Sequence, residues 1–207
     1  MNRIAILTII SLILTFAIAA PAQAVYFMAD EYGSTENTGV FAADVYYEAH
    51  SSTEATLTVT LWNYTPEYLG GYITGFALNN PGDKISTVEA GEYFDEDFQV
   101  MGEDSPYNAV KATPFGLFDF GASLKGKFLG SGKPQGGLAS DSGMEMHLFQ
   151  FQLTGDEMDT ITDSDFMYEA SKRKGSPQVG SFAVRFRGFA DGGSDKTLGI
   201  PAWGGGE

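Results

Sequence analysis

The chain contains no cysteine and only two histidines, His50 and His147. The missing thiol excludes disulfide bonds, thiolate catalysis and lipid attachment to a cysteine after an export signal. His147 stands between Met146 and Leu148 in a strand-like segment, where packing is the expected role of an imidazole. The G-x-S-x-G pattern of many esterases is also missing, although Gly130-Ser131-Gly132 superficially resembles it. These absences argue against a nucleophilic hydrolase.

Basic residues are scarce as well. Twelve lysines and arginines face 27 aspartates and glutamates, which gives a net charge of −15 at pH 7. No basic stripe is available to neutralise phosphates, so nucleic acid is excluded as a partner. An acidic balance favours solubility and attracts cations.

Long apolar runs are missing everywhere except at the amino terminus. Arg3 precedes an apolar stretch from Ile4 to Ala20, and Ala22-Gln23-Ala24 is a small-x-small cleavage site. This pattern predicts that residues 1–24 are a removable signal peptide; the alternative is an uncleaved anchor. The mature chain is then expected to be secreted, either extracellular or periplasmic, with no membrane span of its own.

The clearest structural pattern lies between Glu54 and Trp62. Apolar residues at 55, 57, 59 and 61 alternate with threonines at 56, 58 and 60, which is the period of a half-buried strand. Strands of similar strength are predicted over Met144 to Leu153 and Ser181 to Phe189. Val40 to Ala49 is predicted as a strand, with a short helix as the alternative.

Short strands separated by Gly, Pro, Asn and Asp turns, with no long amphipathic helix, predict an all-β protein. We expect a single-domain antiparallel β-sandwich over residues 25–190, with the 16 phenylalanines between its two sheets. Gly91 to Pro114 is predicted to be a long acidic loop, and residues 191–207 a loose, Gly-rich C-terminal tail.

Three passages of the chain carry a family resemblance: Thr56–Leu61 leading into Gly70–Pro81, Phe149–Gly155, and Phe182–Phe189 followed by Gly192–Lys196. Together they resemble the ectodomains of exported bacterial proteins of the PEP-CTERM type. The sorting tail of that group, Pro-Glu-Pro followed by an apolar span and a basic end, has no counterpart after Ile200. The resemblance therefore implies a surface, matrix or secreted role, and no catalytic residue carries over. The sheet pattern alone also suggests a jelly-roll or cohesin-like strand arrangement.

Calcium is the best cofactor candidate. Asp191, Ser194 and Asp195, separated by two glycines, bring together carboxylates, a hydroxyl and flexible carbonyls, which are the oxygen ligands that calcium prefers. Asp156, Asp159, Asp163 and Asp165 form a second acidic group. Neither group fits the EF-hand pattern, and the alternative is turn-forming residues on a solvated acidic surface.

Tyr64, Tyr68 and Tyr72 lie in or beside one Gly- and Pro-containing loop. Tyrosines on a loop can stack on sugar rings or anchor a protein, although packing over their own core is the alternative. The basic residues Arg185, Arg187 and Lys172–Lys174 are expected to pair with the chain's own carboxylates.

These observations predict a non-catalytic, secreted or surface-associated β-sandwich of the extracellular matrix or envelope. It would bind a glycan or a matrix or surface protein. A secreted carbohydrate-active hydrolase is the alternative, since two of the 27 acids could meet in space. A third possibility is a structural protein that self-associates through β edges.

Overall fold

The computed structural model describes residues 24–128, 134–141, 145–172 and 179–202. The predicted signal peptide, Arg173 and Lys174 therefore lie essentially outside the described residues. The described strands are β1 Val25–Ser34, β2 Phe41–Ala49, β3 Glu54–Asn63, β4 Gly70–Leu78, β5 Ile85–Phe94, β6 Gln99–Met101, β7 Val110–Lys111, β8 Leu117–Phe118, β9 Phe120–Ser123, β10 Leu138–Ala139, β11 Met146–Gly155, β12 Phe182–Phe189 and β13 Ser194–Ala202.

Helical structure is limited to single turns in the part of the chain that the structure describes. Helix α1 covers only Asp165–Tyr168, and four 3-10 turns lie at Glu67–Leu69, Pro81–Asp83, Pro134–Gly136 and Met158–Thr160. No described helix is long and apolar enough to cross a membrane.

Eleven strands form one antiparallel sheet in the order β5-β11-β3-β2-β1-β13-β12-β4-β9-β6, with β10 also paired to β4. Strands β7 and β8 form a separate two-stranded sheet. The long sheet folds over on itself into two layers: the first contains β5, β11, β3 and β2, the second contains β12, β4, β9 and β6, and β1 and β13 connect them. The predicted all-β antiparallel sandwich is confirmed. Strand β3, which shows the clearest alternation in the sequence, lies inside the first layer between β11 and β2.

The two layers meet through phenylalanine rings. Phe76 on β4 contacts Phe149 and Phe151 on β11 with centroid separations of 4.9 and 6.1 Å, although these two strands are not neighbours in the sheet. Phe182 on β12 stacks on Phe27 of β1 at 5.0 Å. All five rings are fully buried, and burying a side chain of this size contributes about 1.5–3 kcal/mol.

The second layer is covered on both faces. Ala77, Ala183 and Leu198 point away from the main core and pack in a separate buried cluster with residues of the 101–128 segment, among them Phe115 and Phe118. The first layer has no such cover among the described residues. Its outer face is therefore the open face of the sandwich.

Two sequence predictions differ from the structure. Gly91 to Pro114 is not a continuous loop, because β5 runs on to Phe94 and β6 and β7 follow. The predicted C-terminal tail is part of the sheet from Ser194 to Ala202, because β13 spans these residues and pairs with β1 on one side and β12 on the other. The end of the tail, residues 203–207, lies outside the described residues. The alternative of a helix over Val40 to Ala49 is wrong, since β2 occupies that segment.

Candidate functional site

Asp195, predicted to bind calcium, is completely buried and is surrounded by hydrogen-bond donors. Its Oδ1 accepts hydrogen bonds from the Thr35 N–H at 3.1 Å, the Thr35 hydroxyl at 2.8 Å, the Glu36 N–H at 3.0 Å and the Lys196 N–H at 2.7 Å. Its Oδ2 accepts hydrogen bonds from the Ser34 hydroxyl at 2.8 Å, the Thr38 N–H at 3.0 Å and the Gly39 N–H at 2.9 Å. Burial raises the pKa of Asp195, but the bonds from Gly39, Ser34, Thr38 and Thr35 outweigh it, so this pKa lies below its ordinary value. The carboxylate holds the 34–39 loop in place.

Asp191 and Ser194, the other predicted calcium ligands, are exposed. Asp191 accepts a 2.7 Å bond from the Gly193 N–H, which is the local bond of an Asx turn. Because its lone pairs are already occupied by seven donors, Asp195 has little capacity left for a cation. Within the described residues, no group of three or more histidines, aspartates or glutamates is placed to hold a metal ion.

The predicted tyrosine group is divided by the structure. Tyr68 is highly exposed on the 3-10 turn before β4, and Tyr64 is 42 % exposed at the end of β3. Tyr72 is only half-exposed on β4, where its ring lies beside Gly188. Tyr64 is therefore the member of the group that faces outward beside β3.

The open face of the first layer carries a row of apolar side chains that crosses five strands. Ile200 lies opposite Met28, Met28 opposite Ala42, Ala42 opposite Trp62, and Trp62 opposite Met146. Directly opposed residues of antiparallel strands point to the same face with Cβ atoms about 4.5–5.5 Å apart. The row is therefore a continuous strip along the sheet.

Neighbouring positions widen this strip. Tyr26 and Leu148 belong to the next row, and Val40 and Tyr64 lie beyond the first, joined by a 2.9 Å bond from the Tyr64 N–H to the Val40 carbonyl. We call the resulting surface the apolar face; its members are Tyr26, Met28, Val40, Trp62, Tyr64, Met146, Leu148 and Ile200. Apart from the half-buried Tyr26 and Trp62, these side chains are 38–60 % exposed. A contiguous exposed apolar surface of this kind is typical of a binding site.

Hydrogen-bonding groups border the apolar face. Asp44 lies opposite both Tyr26 and Thr60, and burial raises the pKa of its carboxyl group. The pKa of Tyr26 is also raised, first by burial and then by the charges of Tyr64 and Asp44. The following rows of β3 and β11 present Thr58, Gln150, Thr56 and Gln152. The surface thus combines flat aromatic rings with a parallel strip of hydroxyls and amides.

A cleft of about 590 Å³ lies at one end of this face. Strands β1 and β13 pair at Ala29 with Gly199 and again at Ser34 with Thr197. Four residues of β1 but only one residue of β13 lie between these two pairs, so residues 30–33 bulge out of the sheet and create the cleft. Asp30, Glu31 and Tyr32 form one part of its lining and Asn37 another. Val40 lines the cleft and also belongs to the apolar face, which makes the two surfaces continuous.

The basic residues make contacts of several kinds. Lys172 Nζ lies 3.6 Å from an Asp83 carboxylate oxygen and 4.6 Å above the ring of Tyr107. Arg185 donates a 2.7 Å bond to the Phe128 carbonyl. Lys172 thus pairs with a carboxylate as predicted, whereas Arg185 bonds a backbone carbonyl.

Of the eight residues of the apolar face, the sequence predicts only Tyr64 as a binding residue, and the other seven, Trp62 and Tyr26 among them, were missed. Continuing the β3 alternation by one more step places Trp62 on the same side as the threonines, which is a signal available in the sequence. Tyr26 and Ile200 carry no such signal, because only the pairing of β13, β1 and β2 brings them beside Trp62.

No family model matches the chain, and no curated protein or solved structure matches it either. The resemblance to PEP-CTERM ectodomains therefore stays a prediction.

Proposed function

We propose that this protein is an exported, non-catalytic glycan-binding protein of the extracellular matrix or envelope, and that the apolar face is its binding surface. The observation that carries the proposal is the strip Ile200–Met28–Ala42–Trp62–Met146 on the open face of a sandwich whose other layer is covered. The predicted export signal and the resemblance to surface ectodomains are consistent with an extracellular ligand.

A glycan fits this surface better than a protein partner because of how its chemistry is arranged. A sugar ring has an apolar C–H face that stacks on aromatic rings and an edge of hydroxyls that need donors and acceptors. Trp62, Tyr64 and Tyr26 supply the rings. Asp44 and Thr60 supply hydrogen-bonding groups beside them.

Assembly through β edges is the less favoured alternative. Strand β5 ends the sheet, and on the side away from β11 its Val88 N–H already donates a 2.9 Å bond to the Glu103 carbonyl. Glu89 and Glu92 are exposed on the same strand. Charges on an edge strand oppose pairing with a second copy.

The test is retention of the purified protein on insoluble cellulose, chitin, xylan and galactan, together with affinity electrophoresis in soluble forms of these polymers. We expect at least one polymer to retain it. We expect Trp62→Ala and Tyr64→Ala each to weaken retention about tenfold, because losing one stacked aromatic ring costs about 1.4 kcal/mol, which is a factor of ten in affinity. Tyr168→Ala removes a tyrosine on α1 that is even more exposed than Tyr64 and should leave retention unchanged.

Four results would contradict the proposal. Retention of none of the polymers, or unchanged retention of Trp62→Ala with a native melting temperature, would exclude the apolar face as a glycan site. Release of reducing sugar would instead support the hydrolase alternative. A Trp62-dependent dimer in light scattering, without polymer retention, would show that the face binds a second copy.

A further inference from the structure

We infer that the cleft beside Val40 is the subsite that sets glycan selectivity, and that it accepts an uncharged sugar ring and rejects an anionic one. This inference rests on the proposed function, because the cleft is treated as the continuation of the apolar face. Its volume of about 590 Å³ is in the range of small-molecule sites.

The position of the cleft makes it part of the same surface. Val40 lines the cleft, and its carbonyl accepts the N–H of Tyr64, whose ring belongs to the apolar face. A chain of sugar rings lying along Trp62 and Tyr64 would therefore reach the cleft at its next unit. A polymer that runs along these rings towards Val40 would therefore contact the cleft lining.

The chemistry of the lining is suited to hydroxyl groups. Tyr32 is 84 % exposed at the rim and offers a ring for stacking. Asn37 offers an amide with both donors and an acceptor, while the carboxylates of Asp30 and Glu31 accept hydrogen bonds from neighbouring hydroxyls. Asp30 Oδ1 is held in place by a 2.9 Å bond from the Tyr32 N–H.

The charge of the lining determines what is rejected. Two carboxylates line the cleft, and no lysine or arginine is among the described residues that do so. A uronate or sulfated ring placed there would set like charges against each other without a counter-ion, which opposes binding. Neutral rings meet no such penalty.

The part of the cleft lining that the 34–39 loop and β13 provide is rigid enough to distinguish neutral from anionic sugar rings. Gly39 and Thr197, both buried, lie where the 34–39 loop meets β13, and the Gly39 N–H is bound to Asp195. Residues 34–39 therefore keep their shape when a ligand enters. A subsite of fixed shape turns a difference in ligand charge into a difference in affinity.

The experiment compares soluble forms of cellulose, chitin and galactan with the same polymers oxidised to the uronate at C6; xylan is left out because its pentose rings have no C6. By affinity electrophoresis, we expect the wild type to bind the oxidised form at least about tenfold more weakly. In Asp30→Asn/Glu31→Gln, the ratio of neutral-polymer affinity to oxidised-polymer affinity should fall several-fold, because amides replace the two carboxylates that repel the uronate. Asn at position 30 retains an oxygen for the Tyr32 N–H.

The matched control is Glu103→Gln/Asp104→Asn, which changes net charge equally at two exposed positions outside the cleft lining. If the control variant lowers the ratio of neutral-polymer affinity to oxidised-polymer affinity as much as the cleft variant does, the selectivity comes from the overall charge of −15 and the inference is wrong. An unchanged ratio in the cleft variant would also overturn it. Either result leaves the Trp62 experiment intact, whereas loss of all polymer binding overturns both proposals.

Discussion

Asp195 shows how a single buried charge can organise a loop. Its two oxygens collect donors from the 34–39 loop, whose residues lie more than 155 positions earlier in the chain. Hydrogen bonds to an ionised group are worth about 1.5–3 kcal/mol each when a partner is removed. The carboxylate therefore fixes both the end of β1 and one wall of the cleft.

Replacing Asp195 by Asn should destabilise the protein by about 3 kcal/mol or more, because an amide NH₂ would face N–H donors that lose their acceptor. Urea unfolding followed by fluorescence measures this change. The control Asp191→Asn should stay within about 0.5 kcal/mol, since that side chain is exposed and bonds only its own turn. An effect of Asp195→Asn as small as that of the control would contradict the assignment.

The pH dependence of this effect follows from the lowered pKa of Asp195. A carboxyl group with a lower pKa in the folded state stabilises the fold above its unfolded pKa, near 3.9, and this contribution disappears as the pH falls through the folded value. The stability difference between wild type and Asp195→Asn should therefore shrink as the pH is lowered below about 4. A difference that is constant down to pH 2 would show that shape, and not charge, is responsible.

Asp163 is the opposite case. It is buried, and burial raises its pKa despite the hydrogen bond that it accepts from the Tyr47 N–H. Ionising this carboxyl group therefore requires more free energy in the folded than in the unfolded state, so the charged Asp163 lowers the stability of the fold at neutral pH. This destabilisation is lost as the pH falls from the folded pKa towards the unfolded pKa.

Asp163→Asn should consequently raise the melting temperature at pH 7, since the amide oxygen can still accept the Tyr47 N–H. The gain should fall towards zero as the pH approaches about 4. Asp159→Asn, an exposed neighbour with the same change in charge, serves as control. A melting temperature lower than that of the wild type at every pH would contradict this interpretation.

At the scale of elements, local alternation was enough to predict β3, β11 and β12. Each has apolar residues at every second position that face one shared core, so the pattern is visible without knowledge of neighbours. Strand β4 shows where this reasoning ends. Arg185 and Phe186 are consecutive on β12, but their partners on β4, Gly75 and Ile73, are two positions apart. Thr74 is therefore the extra residue of a β-bulge, which turns Ile73 towards the same core as Phe76.

Strand β13 was not predictable from its own residues. Glycine and proline occur within Ser194–Ala202, and such residues usually indicate a loop. The segment becomes a strand because β1 and β12 supply hydrogen-bond partners on both sides. The cleft could not be predicted either, because it also depends on how β1 pairs with β13. It forms where β1 has more residues than β13 between the pairs Ala29–Gly199 and Ser34–Thr197.

Removing β13 should therefore prevent folding. A chain that ends at Gly192 would leave β1 and β12 with open edges in the middle of the sheet and would uncover Phe27 and Phe182. We expect this chain to lack a cooperative thermal transition, whereas a chain that ends at Ala202 should melt like the full-length protein. Circular dichroism and a thermal melt measure both, and a cooperative melt of the shorter chain would contradict the central role of β13.

At the scale of the whole molecule, the charge of −15 dominates the response to cations. Screening reduces repulsion among surface carboxylates, so any divalent cation should stabilise the fold slightly. Because Asp195 is occupied by donors, we expect calcium and magnesium to raise the melting temperature of the chelator-treated protein equally. A large rise specific to calcium would show that the protein has a calcium site, as the sequence alone predicts for Asp191, Ser194 and Asp195.

The two layers of the sandwich differ in a way that affects how the protein would behave on a polymer. One layer is covered by the 101–128 segment and the other carries the apolar face, so the described residues form one flat surface for contact. Such a molecule is monovalent: it can coat a fibre, but it cannot join two fibres together. The viscosity of a glycan solution should therefore stay unchanged when the protein is added, whereas a cross-linking protein would raise it.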